Sequence, residues 1–255
     1  MNNTLKRKLL AGQPALGVSV MLPSPHVVDM AGRLGFDWVL LDCEHGSITP
    51  EGLETMVMAA EASGITPIAR PPTNTPDAVL RVMDRGVLGV QVPHVNTADD
   101  AKRAVESVKY YPLGSRGLGA GIRSAGYGFG VTMEEYVKRA NQETLVCVQL
   151  EEVEALRNLD QILRVEGVDV FFLGPSDLAQ SMGYPGRADA PEVQAALNSA
   201  FATIVAAGKV PGSAGNANAV SNYARQGVKY LYTHLTTILA SAASDFRLKA
   251  GLEKH

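Results

Sequence analysis

Short apolar runs alternate with longer segments of helical period along the whole chain. The apolar runs are rich in β-branched residues and predict eight strands, at Leu16–Met21, Trp38–Asp42, Pro67–Ala69, Gly89–Pro93, Leu145–Leu150, Val168–Leu173, Val210–Ser213 and Val228–Tyr232. The segments between them predict helices at 25–34, 50–63, 76–85, 97–108, 133–141, 152–165, 191–207 and 217–226, with a last helix from about 235 to the C-terminus. Capping residues such as Thr49 before Pro50 mark several helix starts.

Eight strand-then-helix units predict a single (β/α)₈ barrel domain over residues 1–255. Near-continuous apolar strands such as 168–173 suit a parallel sheet with both faces covered, and a doubly wound open sheet is the alternative architecture. The segment 112–131 contains seven glycines and does not follow the alternation of strands and helices. Its Gly117–Gly121 run follows no strand and opens no helix, so we interpret it as a mobile loop over the barrel rim and not as a nucleotide-binding loop.

Charge and composition exclude several classes of protein. The 23 Lys and Arg residues against 26 Asp and Glu give no basic footprint for nucleic acid. No apolar run approaches the roughly 20 residues of a membrane-spanning helix, and the N-terminal apolar stretch is too short for a secretion signal, which favours a cytoplasmic protein. Cys43 and Cys147 lie inside apolar runs, so we interpret them as buried hydrophobic side chains.

Polar side chains follow five consecutive predicted strands. They are Asp42, Glu44 and His45 after strand two, Arg70 after strand three, His94 after strand four, Gln149 and Glu151 after strand five, and Ser176 and Asp177 after strand six. The carboxyl ends of barrel strands form the face on which catalytic groups of such barrels lie. The sequence therefore predicts an active site there.

Each of these side chains admits two interpretations. Glu151 and Asp177 are either oxygen ligands of a hard divalent cation or charges at helix starts. His45 is either a general base or a histidine held by neighbouring carboxylates. Arg70 either binds a carboxylate or enolate oxygen or forms a structural ion pair. Asp84 is either a surface charge or a group that orients a histidine.

Lysine positions bear on the type of carbon–carbon chemistry. A Schiff-base aldolase needs a lysine in the active mouth. Lys209 and Lys229 precede strands seven and eight and so lie at the opposite end of the predicted barrel. If the protein makes or breaks carbon–carbon bonds, the electron sink is a metal and not an imine.

Five segments together resemble the HpcH/HpaI aldolase family. They are Leu41–Gly46, Ala69–Pro71, Pro112–Gly119, Gln149–Glu151 and Phe172–Leu178, and the similarity extends over about residues 5–245. The resemblance implies a (β/α)₈ barrel and a class II pyruvate aldolase that uses Mg²⁺, Mn²⁺ or Co²⁺. It also implies a homohexamer, a trimer of dimers, in which the final helix is exchanged between subunits.

The resemblance also implies roles for individual residues. Glu151 and Asp177 are then the metal ligands, Arg70 stabilises the enolate oxygen, and His45, assisted by Asp84, is the acid/base acting through a metal-bound water. Pyruvate is bound by Gln149 and by backbone N–H groups of Gly174, Ser176 and Asp177. Asp42 and the Gly117–Ser124 loop, including Ser124, then approach a neighbouring subunit's active site and contribute to substrate binding there.

The reaction implied by the resemblance is cleavage of a 4-hydroxy-2-oxo acid to pyruvate and an aldehyde through a metal-bound enolate, or its reverse. The chain departs from the family pattern at 211–216, which predicts a roomier or more polar acceptor pocket. It also departs at His94 and in the glycine-rich stretch Gly121–Gly130, and these two departures bear on the natural substrate and not on the pyruvate half-site. Three alternatives remain: a mutase or transferase acting on a phosphoenolpyruvate-type substrate, an acyl-thioester lyase, and a barrel that only binds an oxo acid.

Overall fold

The computed structural model describes residues 2–252 and contains a closed barrel of eight parallel strands. Each strand pairs with the next along the chain, and β8 pairs with β1, which excludes the open-sheet alternative. The strands are β1 Ala15–Val20, β2 Trp38–Asp42, β3 Thr66–Arg70, β4 Gly89–Val92, β5 Leu145–Leu150, β6 Val170–Leu173, β7 Pro211–Ala214 and β8 Tyr230–His234. The predicted (β/α)₈ barrel is confirmed.

Helices surround the barrel and connect successive strands. They are α1 Thr4–Leu10, α2 Pro25–Arg33, α3 Pro50–Ser63, α4 Pro76–Met83, α5 Ala98–Val108, α6 Met133–Glu143, α7 Val153–Arg157, α8 Leu159–Ile162, α9 Pro175–Ser181, α10 Pro191–Ala206, α11 Ala217–Arg225 and α12 Leu235–Lys249. None of the helices within residues 2–252 is both long and apolar enough to cross a membrane.

Several predicted boundaries are corrected. The predicted helix 152–165 is two short helices, α7 and α8, that meet at Asn158, and the sequence analysis missed α1 and α9. Strand β8 was predicted at Val228–Tyr232 but begins and ends two residues later. The final helix ends at Lys249, and residues 253–255 of its predicted extent lie outside the described part of the chain.

Side chains along each strand alternate between the outside and the inside of the barrel and form two hydrophobic layers. Outward side chains pack against the helices, while the barrel interior is filled by an inner cluster that includes Trp38, Phe172, Tyr230 and Tyr232. The Trp38 and Tyr230 rings lie 4.0 Å apart between centroids, and Phe172 stacks on Tyr232. Because strand side chains alternate, the next inward positions above this cluster are polar and form the floor of the catalytic face.

The N-terminal end of the barrel is closed by α1. Leu5 and Leu9 are buried in the inner cluster, and the Asn3 side chain donates hydrogen bonds to the carbonyl oxygens of Leu88 and Glu143. Lys209 lies two residues before β7 and Lys229 directly precedes β8, so they lie at this closed end, as predicted.

The glycine-rich segment 112–131 also lies toward the closed end, and its predicted place over the rim is therefore wrong. It contains a 3₁₀ turn at Arg123–Gly128 that packs on α6 through Ala125 and Tyr136. Arg123 donates a hydrogen bond to the carbonyl oxygen of Arg85, in the loop that leads into β4. Helices run back from the catalytic face, so the C-terminal end of α4 lies at the closed end of the barrel.

Candidate functional site

A cavity of about 640 Å³ opens at the carboxyl ends of the strands. Its walls come from the ends of β3, β5, β6, β7 and β8 and from the loops that follow them. The charged and polar side chains in its lining are His45, Arg70, Gln149, Ser176, Asp177, Asp189, Gln194, Asn216, Tyr223, Tyr232, His234 and Thr237. The predicted location of the active site at this face coincides with this cavity.

Arg70 and Asp42 form a buried pair on the cavity floor. The Arg70 guanidinium donates to both carboxylate oxygens of Asp42, at 2.9 Å from Nε to Oδ1 and 2.5 Å from Nη2 to Oδ2. Nη1 of Arg70 lies 3.1 Å from a carboxylate oxygen of Glu44. Burial opposes the charge of Asp42, but the Arg70 hydrogen bonds and charge hold the pKa of this carboxyl below its usual value. Arg70 is therefore fixed in position with its cation toward the cavity.

The structure corrects the expectation that Asp42 approaches a neighbouring subunit. Its side chain is fully buried inside its own barrel, and its Oδ1 also accepts hydrogen bonds from the backbone N–H groups of Glu44 and His45. Its contacts thus shape the loop after β2 and hold Arg70.

Glu151 is buried beneath the cavity wall at the end of β5 and is 1% exposed. The Gln149 side chain donates a hydrogen bond to its Oε2, and the backbone N–H of His94 donates to its Oε1 at 2.9 Å. Burial, reinforced by the nearby Asp177 carboxylate, raises the pKa of Glu151 to about 7 against the effect of these hydrogen bonds. A pair of carboxylates that repel each other in this way is stabilised by a cation between them.

Asp177 and Ser176 lie in the first turn of α9, directly after β6. The N–H of Gly174 is already donated to the carbonyl oxygen of Leu150, so the expectation that Gly174 offers this group to pyruvate is wrong. Pro175 has no N–H, which leaves the amides of Ser176 and Asp177 at the start of the helix. Gly174 is needed for another reason, since an added Cβ would lie 3.0 Å from Cβ of Glu151.

The residues present fit a divalent cation bound by oxygen. Glu151 and Asp177 supply carboxylates from neighbouring strand ends, and oxygen-only donors are typical of Mg²⁺ and Mn²⁺ sites. Within residues 2–252 no group of three or more His, Cys, Asp or Glu side chains is arranged to bind a metal ion. A two-carboxylate site leaves coordination positions for water and a chelating substrate.

His45 lines the cavity, but the structure does not bring Asp84 to it. His45 is largely exposed, and its nearest carboxylate is Glu44, 3.9 Å from Nε2. Asp84 is the C-cap of α4 at the closed end, where it accepts a hydrogen bond of 2.8 Å from Arg116. Ser124 lies beside it and is hydrogen-bonded to Tyr136, so the expected roles of Asp84 and Ser124 are not met within one subunit.

Sequence reasoning missed two groups of this site. Gln91, within β4, donates a hydrogen bond to Gln149. The alternation of side chains between the two faces of β4 could have shown that Gln91 points into the barrel. His234 was missed because the predicted strand eight stopped at Tyr232, although the inward series Tyr230, Tyr232 leads directly to His234. His94, where the sequence departs from the family pattern, has a positive backbone φ of 53°. Its side chain lies among the carboxylates of Glu44, Glu151 and Glu152.

Comparisons with known proteins find similar sequences and structures. The model of the HpcH/HpaI aldolase/citrate lyase family matches residues 16–235. A protein of Shigella sonnei (strain Ss046) named 4-hydroxy-2-oxo-heptane-1,7-dioate aldolase is 37% identical over 258 residues, covering 99% of this chain and 97% of that protein.

Solved structures show the same fold. A HpcH/HpaI aldolase/citrate lyase family protein from Burkholderia cenocepacia J2315 is similar with a TM-score of 0.91 at 27% identity, covering 99% of this chain and 100% of that one. A HpcH/HpaI aldolase from Desulfitobacterium hafniense DCB-2 has a TM-score of 0.89 at 28% identity, covering 98% of this chain and 97% of that one.

Proposed function

The chain belongs to the HpcH/HpaI aldolase/citrate lyase family and is a carbon–carbon lyase of the class II aldolase type, and from this premise we propose that it cleaves 4-hydroxy-2-oxo acids to pyruvate and an aldehyde. The single observation that carries the proposal is the position of Arg70. Its guanidinium is fixed by Asp42 and lines the same cavity as Asp177, with Glu151 directly beneath.

Members of this family are typically dependent on a divalent metal ion. We assign Glu151 and Asp177 as the residues that hold it in this chain. When bound, the cation would supply positive charge that stabilises an enolate oxygen, as a Lewis acid does. The hydrogen bonds from Gln149 and the His94 N–H keep Glu151 oriented toward that position.

The protein's own residues account for substrate binding. Ser176 and Asp177 line the cavity at the start of α9, and we assign their backbone N–H groups to binding the carboxylate of the oxo acid. Arg70 stabilises the charge that develops on the C2 oxygen as the C3–C4 bond breaks. Because the Asp42 pair fixes Arg70 before substrate arrives, little reorganisation is needed in the transition state.

His45 is the residue that we assign to proton transfer at the C4 hydroxyl. It lies on the loop after β2, its backbone N–H is held by Asp42, and its imidazole lines the cavity. Imidazole is the side chain that most often serves as general acid and base in enzymes, because it can accept and return a proton. In the forward direction His45 accepts the hydroxyl proton as the aldehyde leaves.

We further propose a homohexamer, arranged as a trimer of dimers, in which one subunit completes the site of another. Asp84 and Ser124 lie at the closed end of their own barrel, so their expected contribution to proton transfer requires a neighbouring subunit. Helix α12 has no buried residue and exposes Leu239, Phe246 and Leu248. An apolar helix of this kind is suited to exchange onto a second copy.

The test is pyruvate release from a series of 4-hydroxy-2-oxo acids. Chelator-treated protein is expected to be inactive, Mg²⁺ or Mn²⁺ to restore release, and Glu151→Ala to abolish the restored activity. Release that persists without metal and is trapped by borohydride would replace this mechanism by an imine. Release or transfer of the phosphate group of a phosphoenolpyruvate-type substrate, without aldol cleavage, would assign the barrel to the mutase or transferase alternative.

A further inference from the structure

His234 is the last inward side chain of β8. Along this strand Tyr230 and Tyr232 point into the barrel, and the alternation places His234 above them on the cavity floor. Its ring packs edge-on against Tyr232, with centroids 5.6 Å apart. Neither the hydrogen bonds to substrate proposed above nor the assigned proton transfer uses this imidazole.

The imidazole of His234 is neutral and has free hydrogen-bonding capacity. Burial and the positive charge of Arg70 lower the pKa of His234 below its ordinary value, with Asp42 opposing. No hydrogen bond to another side chain of the described chain contributes to this shift. A neutral imidazole carries one donor nitrogen and one acceptor nitrogen, and both match the hydroxyl group of a ligand.

Asn216 lines the same cavity as His234. Ala214 pairs with Tyr232 between β7 and β8, and Asn216 and His234 are each two residues further along the chain. The Asn216 side-chain oxygen caps α11 by accepting from the N–H of Ala219, so the amide N–H groups of this cavity-lining residue are not used by the cap. Ala214, the residue of β7 that lines this cavity, is small, whereas the space beside Gly212 is filled by the rings of Tyr230 and Phe172.

The charges of the cavity exclude a site built for a second carboxylate. Arg70 is the one Lys or Arg side chain among the described residues that line it, and Arg70 is already paired with Asp42 and Glu44. Asp189, between α9 and α10 in the connection from β6 to β7, adds a negative charge to the lining. A distal carboxylate would face Asp189 without a cation, while a distal hydroxyl would meet the donors and acceptors of His234 and Asn216.

We propose that His234 and Asn216 form an acceptor subsite that selects neutral hydroxylated aldehydes over aldehydes ending in a carboxylate. The inference rests on the proposed aldol function, because it concerns the part of the same substrate beyond C4. The pyruvate half of the substrate lies toward β5 and β6, and the aldehyde half lies toward β7 and β8.

The experiment compares three aldehydes as acceptors in the aldol addition of pyruvate, using the full-length, metal-loaded protein. Glyceraldehyde carries neutral hydroxyls, butanal is apolar, and 4-oxobutanoate ends in a carboxylate. We expect kcat/KM for glyceraldehyde to exceed both others by about tenfold or more, the effect of one or two well-placed hydrogen bonds. His234→Phe is expected to lower the glyceraldehyde value about tenfold and to leave butanal unchanged, while His234→Gln retains most of the preference.

Two further variants test the geometry. Asn216→Asp keeps the cap of α11 but replaces the amide donors by charge, and it is expected to lower the relative rate with 4-oxobutanoate further. The control is His26→Phe, which removes an exposed histidine outside the cavity lining and is expected to change none of the ratios.

Exchange of the pyruvate methyl protons with D₂O, followed by NMR, separates this inference from the proposed function. The exchange needs the pyruvate half-site and no aldehyde, so it is expected in the wild type and in every variant. Wild-type preference for 4-oxobutanoate, or an unchanged glyceraldehyde-to-butanal ratio in His234→Phe with exchange intact, would overturn the acceptor subsite. Absence of exchange in the metal-loaded wild type would instead overturn the aldolase mechanism itself.

Discussion

Arg70 and Asp42 meet through two parallel hydrogen bonds, Nε to Oδ1 at 2.9 Å and Nη2 to Oδ2 at 2.5 Å, with both side chains buried on the barrel floor. This arrangement means that either partner alone would be a buried charge lacking its principal counter-charge. Asp42→Asn is therefore expected to lower the free energy of unfolding by about 3–5 kcal/mol, as measured by urea denaturation.

The matched control for Asp42→Asn is the exposed pair of Lys102 and Asp99, where Asp99→Asn is expected to cost less than about 1 kcal/mol. The free energy of unfolding should also depend on pH differently in the wild type and in Asp42→Asn. Because the folded-state pKa of Asp42 is below its unfolded value, its stabilisation is present above about pH 4 and is lost as the pH falls through the lowered pKa. A difference between wild type and Asp42→Asn that persists undiminished into strong acid would contradict this assignment.

The raised pKa of Glu151 leads us to expect a second pH dependence of stability in the metal-free protein, opposite in sign to that of Asp42. Its folded-state pKa of about 7 is above that of the unfolded chain, so its protonation favours the folded state. The chelator-treated wild type is expected to lose stability, on the order of 3 kcal/mol, as the pH rises from about 4.3 to 7. Glu151→Gln should remove most of this slope, and adding Mn²⁺ to the wild type should offset the loss at pH 7. An equal slope in both proteins would show that the carboxyl titrates normally.

Gly174→Ala is expected to weaken cation binding without unfolding the barrel. The new methyl group would lie 3.0 Å from Cβ and 3.2 Å from Oε2 of Glu151, so the carboxylate must shift. The measurement is Mn²⁺ affinity by calorimetry, with a loss of about tenfold or more, comparable to disturbing a group that orients a metal ligand. Gly52→Ala, where the nearest atom to the added methyl is a side-chain carbon at 3.4 Å, is the control and should bind Mn²⁺ as the wild type does.

Mixing two inactive variants tests whether Asp84 acts across a subunit interface. His45→Ala and Asp84→Asn are each expected to be inactive as separate oligomers. After mixed reassembly, a site that takes His45 from one subunit and Asp84 from its neighbour should be intact in about a quarter of cases. Folding of Asp84→Asn is checked by thermal unfolding, since Arg116 retains an amide oxygen as its partner. No recovery of pyruvate release from a mixed oligomer would exclude the shared site.

The fold followed from the sequence because strand and helix periods were both clear. Strands β2 and β5 begin and end where the apolar runs predict, since β2 ends on the polar Asp42 and Glu151 follows β5 directly. The predicted helix 152–165 was wrong because helical periodicity continues across Asn158, while the backbone there leaves the helical region. A hydrophobic pattern does not record such a break.

The candidate site was predictable only as far as strand order reaches. The rule that catalytic side chains follow barrel strands located Arg70, Gln149 and Asp177 correctly in the cavity lining. It placed no constraint on Asp84, which follows a helix and is fixed by the buried Arg116. His234 was not predicted, because the predicted strand eight ended two residues before the observed end of β8 and so did not include this last inward position.

The contact between Asn3 and Glu143 has a consequence for synthesis of the chain. The Asn3 backbone N–H donates to Glu143 Oε2 at 2.6 Å, and β1 pairs with β8. Glu143 and β8 leave the ribosome long after the N-terminal segment does. The edge of β1 that pairs with β8 thus remains unpaired during translation, so closure of the barrel follows completion of its last strand, and slowed elongation would prolong the aggregation-prone interval.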